Sequence, residues 1–317
     1  MKAVRIHSFG GPEVLKFEDA PKPELNPDEV LIKVYASGVN PIDWKIRSGM
    51  GKEKFPGSFP LTLGWDVAGV IEAVGSAVKN FRKGEAVYSR PDPTKNGSYA
   101  EYVAVKADIV ERKPESLDFA HAAAVPLAGL TAWQGLFDHG KLQAGQKVLI
   151  HAASGGVGSF AVQFASWKGA HIIGTTSEKN IAFVKSLGAD EVIDYKNEKF
   201  EERLQNLDLV FDTLGGEIQK RSFRVLKNGG RLITTVRPEP DEVSNAKNIL
   251  VEGFMALSVP EDLEQIAGLI DQGKIKPVVS RIMPLDEAAE AQKLSEQGHV
   301  KGKIVLQVLK ESSAIPQ

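Results

Sequence analysis

Lys147-Val-Leu-Ile-His-Ala-Ala-Ser-Gly-Gly-Val-Gly-Ser-Phe-Ala161 is the stretch whose reading decides the fold. An apolar, β-rich run stops at a cluster of glycines, and a helical pattern begins directly after it. Gly156-Val-Gly158-Ser-Phe-Ala161 fits G-x-G-x-x-A, the turn that lets a backbone approach a dinucleotide pyrophosphate. Gly156 and Gly158 carry no Cβ to block that approach, and Ala161 is small where helix and strand pack closely. The free N–H groups of the new helix then face the phosphates. Ser154, Gly155, Gly156, Val157 and Gly158 are therefore assigned to the nucleotide. The alternative is a glycine-rich turn with no ligand. It is the weaker reading, because strand, turn, helix and a second strand arrive in order.

Composition sets the bounds around this turn. The chain has 317 residues and a net charge of −2, room for roughly two domains and a large core. The near-zero charge argues against a nucleic-acid or membrane-surface role. There is no cysteine, which excludes disulfides, thiolate metal sites and a cysteine nucleophile. The start Met1-Lys-Ala-Val-Arg-Ile-His7 lacks the apolar region of a signal peptide, and no apolar run is long enough to span a bilayer. A cytoplasmic enzyme is the expectation.

Outward from the turn, two textures appear. Residues 1–124 carry short strand-like runs broken by Gly and Pro: Lys2–His7, Glu29–Ala36, Val67–Val74, Ala86–Ser89 and Ala100–Val105. They predict a β-rich, barrel-like domain. Residues 125–282 alternate strand and helix, with strands expected at Lys147–Ala152, His171–Thr176, Glu191–Tyr195, Leu207–Thr213, Arg231–Val236 and Leu250–Ala256. The fold class is thus α/β, a doubly wound parallel sheet of six strands beside the β-rich domain. Gly169, Gly188 and Gly229 are expected to cap helices. Residues 283–317 are expected to return to the first domain, because the six-stranded sheet is already complete.

Cofactor preference is read from the end of the second strand. An NAD-selective fold places Asp or Glu there for the ribose 2′-OH; this chain has Thr175-Thr176-Ser177. Ser177 can donate a hydrogen bond, Lys179 adds positive charge, and the Tyr195 hydroxyl closes the third strand near the same adenosine end. Together with Thr176 they favour NADP(H). Glu178 dissents. Lys179 also reads as a solvated lysine, and Tyr195 as an ordinary strand-end aromatic. Leu214 follows the fourth strand and Val236 ends the fifth, where ligands lie in such sheets; their backbone groups are assigned to the ribose and nicotinamide. The glycines around Leu214 also read as simple turn formers.

Five motifs occur in order: Gly38-Val-Asn40-Pro-Ile-Asp43, Gly64-Trp-Asp66-Val-Ala-Gly69, Gly97-Ser-Tyr-Ala-Glu-Tyr102, Leu127-Ala-Gly-Leu-Thr131-Ala-Trp and Ala152-Ala-Ser-Gly-Gly-Val-Gly158. As a set they resemble the zinc-independent quinone oxidoreductase and alkenal reductase branch of the medium-chain dehydrogenase/reductases. The resemblance spans nearly the whole chain. It implies a GroES-like substrate domain, a Rossmann domain, and an active site in the cleft between them. Zinc-dependent relatives carry a cysteine where this chain has Asn40 and a histidine where it has Trp65. Hydride delivery from NADPH to a quinone or an α,β-unsaturated carbonyl is the reaction implied, since conjugation already activates the acceptor carbon.

By the same resemblance, Asn40 sits where nicotinamide meets substrate, and its amide contacts the cofactor or polarises a carbonyl; its other reading is a turn residue before Pro41. Thr131, read as opening a helix, is placed near the nicotinamide ribose. Asp43 and Lys45 lie in a run shared with enone reductases and are, with Asn40, the candidate catalytic residues. There Lys45 stabilises an enolate or orders a water, or else is solvated or paired with Asp43. Trp44, Trp65 and Phe55 form a pocket wall or belong to the core, and residues 52–58 form a loop at the cleft. Asp66 is read as an internal hydrogen-bond partner and His151 as a packing residue. A homodimer joined through Leu250–Ala256 is implied. Two rival functions stay open: an NADPH-binding structural or regulatory protein with little turnover, and an enoyl-thioester reductase.

Overall fold

Six parallel strands form the sheet that the glycine turn predicts, in the computed structural model that describes residues 1–53 and 58–310. Their spatial order is Glu191–Asp194, His171–Thr176, Lys147–Ile150, Leu207–Asp212, Leu226–Thr234, Leu250–Gly253. Strands that run parallel with both faces covered must be apolar throughout. Val148, Leu149, Ile150, Leu209, Val210 and Phe211 are all buried. The order reverses between Lys147–Ile150 and Leu207–Asp212, which places the ligand crevice at the carboxyl ends of those two strands.

The helix Gly156–Lys168 follows the first strand of this sheet and ends on Gly169 at φ 79°. Gly188 similarly follows the helix Ile181–Ser186 with φ 110°. Gly229 does not cap a helix. The helix Gly216–Val225 gives way at Leu226 to extended backbone, and Gly229 (φ 69°) bends the strand that follows. That strand begins at Leu226 instead of Arg231 and skips from Leu226 to Arg231 in its pairing with Leu207–Asp212.

The chain divides into two compact units. One is Met1–Leu127 with Ser258–Asp271 and Pro277–Gln317; the other is Ala128–Leu257 with Gln272–Lys276. The return to the first unit thus starts at Ser258, earlier than the expected residue 283. The helix Pro260–Asp271 belongs there, its Leu263 carbonyl accepting the Tyr88 hydroxyl at 2.6 Å. The strand Val279–Pro284 belongs there too, because it pairs in parallel with Lys303–Gln307.

In the first unit the long strand Glu29–Val39 is central. It pairs antiparallel with Val67–Val74, Tyr102–Lys106 and Lys303–Gln307. One core packs Val30, Ile32, Val34, Ile71, Val87 and Val105. A second gathers Ile6, Leu63, Trp65, Tyr99, Ala288 and Ile304. Trp65 is fully buried there, so it is core and not the pocket wall. No helix among the described residues is long and apolar enough to cross a membrane.

Candidate functional site

At the glycine turn, Ala152 adopts φ 50°, a region costly for a side chain. Gly155 N donates to Ala152 O at 2.9 Å, and Gly155 is the N-cap of the helix that follows. A Cβ on Gly158 would lie 2.2 Å from Ala152 O and 2.7 Å from Ala153 Cα. Only glycine lets the helix start this close to the strand end. The first N–H groups of the helix have no partner within it, so the turn presents donors to an anion. These features fit a dinucleotide pyrophosphate.

Ser154 stands at the junction of this turn with the second strand. Its Oγ accepts from Thr176 Oγ1 at 2.8 Å and from Asn180 Nδ2 at 3.2 Å. Both incoming bonds are donors, so the Ser154 hydroxyl proton is free to point elsewhere. Asn180 Nδ2 also reaches Ser177 Oγ at 3.4 Å. Asn180, missed in the sequence reading, therefore ties Ser154, Thr176 and Ser177 into one hydroxyl cluster. Lys179 and Glu178 are exposed on the short turn beside it. Tyr195, half exposed, donates its backbone N–H to Thr176 O at 3.2 Å. The nearest strand-end acid, Asp194, is buried and caps its own turn through Lys196 N and Asn197 Nδ2.

Leu214 and Val236 are linked through a buried carboxylate and Thr234, whose Oγ1 accepts from Val236 N at 3.2 Å. Asp212 Oδ1 accepts from Leu214 N (2.8 Å) and Gly215 N (3.1 Å), while Oδ2 accepts from Gln219 Nε2 (3.0 Å) and Thr234 Oγ1 (3.1 Å). Gly215, at φ 74°, leaves room for Val236, whose Cγ2 would be 2.7 Å from a Cβ there. Below the turn, His151 is fully buried between Thr175 Oγ1 (3.0 Å) and Ser222 Oγ (2.9 Å). Burial depresses its pKa to about 4, so it is neutral at pH 7. This is the packing role expected of it.

In the first unit, Asn40 anchors a buried polar cluster. Its Nδ2 donates to Asp66 Oδ2 at 2.8 Å, and its Oδ1 accepts from Lys303 Nζ at 2.5 Å. Lys303 also donates to Asp66 Oδ2 and Val39 O, both at 3.1 Å. Asp66 Oδ1 accepts from Leu127 N at 2.6 Å, the internal role expected for Asp66. A Cβ on Gly38 would sit 2.6 Å from Asp66 Oδ2, so the glycine admits the carboxylate. The sequence reading missed Lys303. Its signal was a charged residue opening the apolar run Lys303-Ile-Val-Leu; the register Ile304 opposite Val39 carries it to Asn40.

Asp43 is the third residue of the helix Pro41–Arg47 and is fully buried. Its Oδ2 accepts from Asn40 N (2.6 Å) and Tyr99 OH (2.8 Å), while Oδ1 has no partner among the described residues. Burial raises the Asp43 pKa to about 7, against the lowering effect of those hydrogen bonds. Asp43 therefore braces Asn40 from behind, as an acid at a helix start does. Lys45 does not pair with it; its ammonium lies 5.5 Å from the Trp44 ring, and Trp44 is half-buried. Thr131 does not open a helix. The helix runs Pro126–Trp133, and Thr131 is buried in its second half. Phe55 and residues 54–57 of the expected loop lie outside the described residues.

Comparison with known proteins places this arrangement. Residues 26–115 match the alcohol dehydrogenase GroES-like domain and residues 187–306 the zinc-binding dehydrogenase family. The mitochondrial NAD(P)H oxidoreductase RTN4IP1 of Mus musculus is 37% identical over 355 residues, covering 98% of this chain and 89% of that protein. The chloroplastic NADPH-dependent alkenal/one oxidoreductase of Arabidopsis thaliana is 36% identical over 317 residues, covering 96% and 79%. A solved quinone oxidoreductase from Coxiella burnetii superposes with a TM-score of 0.91 at 37% identity, covering 98% and 99%. The chain belongs to the quinone oxidoreductase branch of the medium-chain dehydrogenase/reductases.

The family resemblance equates Asn40 and Trp65 with the zinc-ligand positions of metal-dependent members. An amide and a fully buried indole are poor donors for zinc. Among the described residues, no three His, Cys, Asp or Glu side chains come together as a metal site. The GroES-like unit instead gathers an amide, two carboxylates, a phenol and an ammonium, and the Rossmann unit gathers hydroxyls and backbone N–H groups.

Proposed function

We propose that the chain is an NADPH-dependent oxidoreductase that reduces quinones or α,β-unsaturated carbonyls without zinc. The observation that carries this reading is the pair of sites just described: a second strand that ends in the hydroxyls of Thr175-Thr176-Ser177 with no acid among them, and a buried Asn40 amide held between Lys303 and Asp66. NADPH, when bound, supplies the hydride. Ser154, Gly155, Gly156, Val157 and Gly158 hold the pyrophosphate through backbone N–H groups and the spare Ser154 proton. Thr176, Ser177, Lys179 and Tyr195 surround the adenosine 2′-phosphate, where donors and a cation replace the usual acid. Leu214, Val236 and Thr131 line the nicotinamide riboside.

On the substrate side, Asn40 donates to the oxygen on which charge develops as hydride arrives. Asp43 holds Asn40 in place, and Lys45 supports the developing enolate or orders the water that protonates it. The test is NADPH oxidation against a panel of quinones and a panel of enones, with Asn40→Ala as the control. Turnover on either panel that falls at least about 100-fold in Asn40→Ala is expected; no turnover on both panels overturns the reading.

We further propose a homodimer that covers the outer strand Leu250–Gly253. Its outer edge is unpaired in the sheet order, and Leu250, Met255 and Leu257 are exposed beside it; such edges need covering. Sedimentation of the pure protein tests this, and a monomer at micromolar concentration overturns it. A cytoplasmic location remains our expectation, and cell fractionation tests it.

A further inference from the structure

We infer that Lys303 is a positioning residue for hydride transfer: its buried ammonium locks the Asn40 amide in one orientation. This rests on the reading that Asn40 acts on the substrate. The Lys303 ammonium has three protons, and three acceptors surround it: Val39 O, Asn40 Oδ1 and Asp66 Oδ2. It is 4% exposed and Asp66 is fully buried, so neither charge is screened by water.

The amide is thereby held at both ends by groups that cannot exchange roles. An ammonium only donates, and an ionised carboxylate only accepts. Turning the amide over would set its NH2 against the Lys303 ammonium and its oxygen against the Asp66 carboxylate. Both contacts would be repulsive, and burial leaves them poorly screened. A neutral pair of partners imposes no such choice. Asp43 accepts the backbone N–H of Asn40, and its own N–H meets the Asn40 side chain in a capping box; neither contact sets a charge against the Asn40 amide, as Lys303 and Asp66 do. Lys303 arrives from the last strand of the chain, and the register that buries Ile304 and Leu306 also delivers it.

The test separates positioning from folding. Lys303→Met alone leaves Asp66 as a buried, uncompensated charge and destabilises the unit. The double variant Asp66→Asn, Lys303→Met removes both charges, and the amide oxygen that replaces the carboxylate can still accept from Leu127 N. This double variant is expected to melt near the wild-type temperature and bind NADPH with unchanged Kd. Its kcat with a quinone or enone is expected to fall about 30- to 100-fold at unchanged KM for NADPH, the scale of losing one aligned donor. A double variant that is folded and turns over within about threefold of wild type overturns the role of Lys303. If Asn40→Ala also keeps its kcat, the reading of Asn40 falls with it; if Asn40→Ala loses activity while the double variant does not, only the Lys303 inference falls.

Discussion

Gly158→Ala is the sharpest probe of the nucleotide turn. The new Cβ would stand 2.2 Å from Ala152 O, where ordinary contact begins near 3.4 Å. The turn and helix must therefore separate by about 1.2 Å, and the obstacle is backbone, which cannot rotate aside. If each side moves half of that, a phosphate bond of about 2.9 Å stretches to about 3.5 Å, the outer limit of useful geometry. Hydrogen bonds to a charged group contribute about 1.5–3 kcal/mol each. Losing one or two weakens NADPH by about 3 kcal/mol, or about 100-fold in Kd. Titration of nicotinamide fluorescence measures this, with circular dichroism melts to establish that the variant is folded. Gly268→Ala is the control. Its Cβ meets nothing within 4 Å on the helix Pro260–Asp271, so it should stabilise by about 0.5–1 kcal/mol and leave Kd alone. A folded Gly158→Ala protein that binds NADPH within about threefold of wild type would refute the close-approach argument.

Lys179→Ala is expected to weaken NADPH about tenfold while leaving NADH unchanged, because only the 2′-phosphate would use that charge; equal effects on both nucleotides would remove Lys179 from the site. His151 governs acid stability of the second unit. Its native pKa of about 4 lies below the ordinary 6.5, so the unfolded chain binds the proton more tightly. Its contribution, about 3 kcal/mol, is complete above pH 6.5 and lost as pH falls through 4; urea melts of His151→Gln should lack that slope. Asp43 acts with the opposite sign. Its native pKa of about 7 exceeds the ordinary 3.8, so its contribution is complete below pH 3.8 and lost as pH rises through 7, and Asp43→Asn should flatten that limb. Arg47→Met is expected to destabilise by about 3 kcal/mol, measured by denaturant melts. The buried guanidinium donates to Gln292 Oε1 (3.0 Å), Glu296 Oε2 (2.9 Å) and Gly10 O (3.3 Å); a loss below about 0.5 kcal/mol would show those bonds to be idle.

The sequence by itself determined the sheet and the turn. Both follow from local rules: period, glycine without Cβ, and a small Ala161 where helix meets strand. The hydroxyls at 175–177 and the missing thiolates were equally legible, because what a side chain can donate or ligate is a property of its type. Tertiary structure alone decided which of those groups work together. Asn180 and Ser154 meet across 26 residues, and Lys303 meets Asn40 across 263. No spacing rule reaches that far, since strand register is set by burying Ile304 against the core and the lysine simply follows. The same holds for Trp65, which composition allowed as pocket or core and packing placed in the core. It holds too for Asp43, whose carboxyl looked available for chemistry until the fold buried it behind Asn40. Residue type fixes the possible chemistry, and long-range packing selects the partners, because a side chain's environment depends on chain segments that local pattern cannot see.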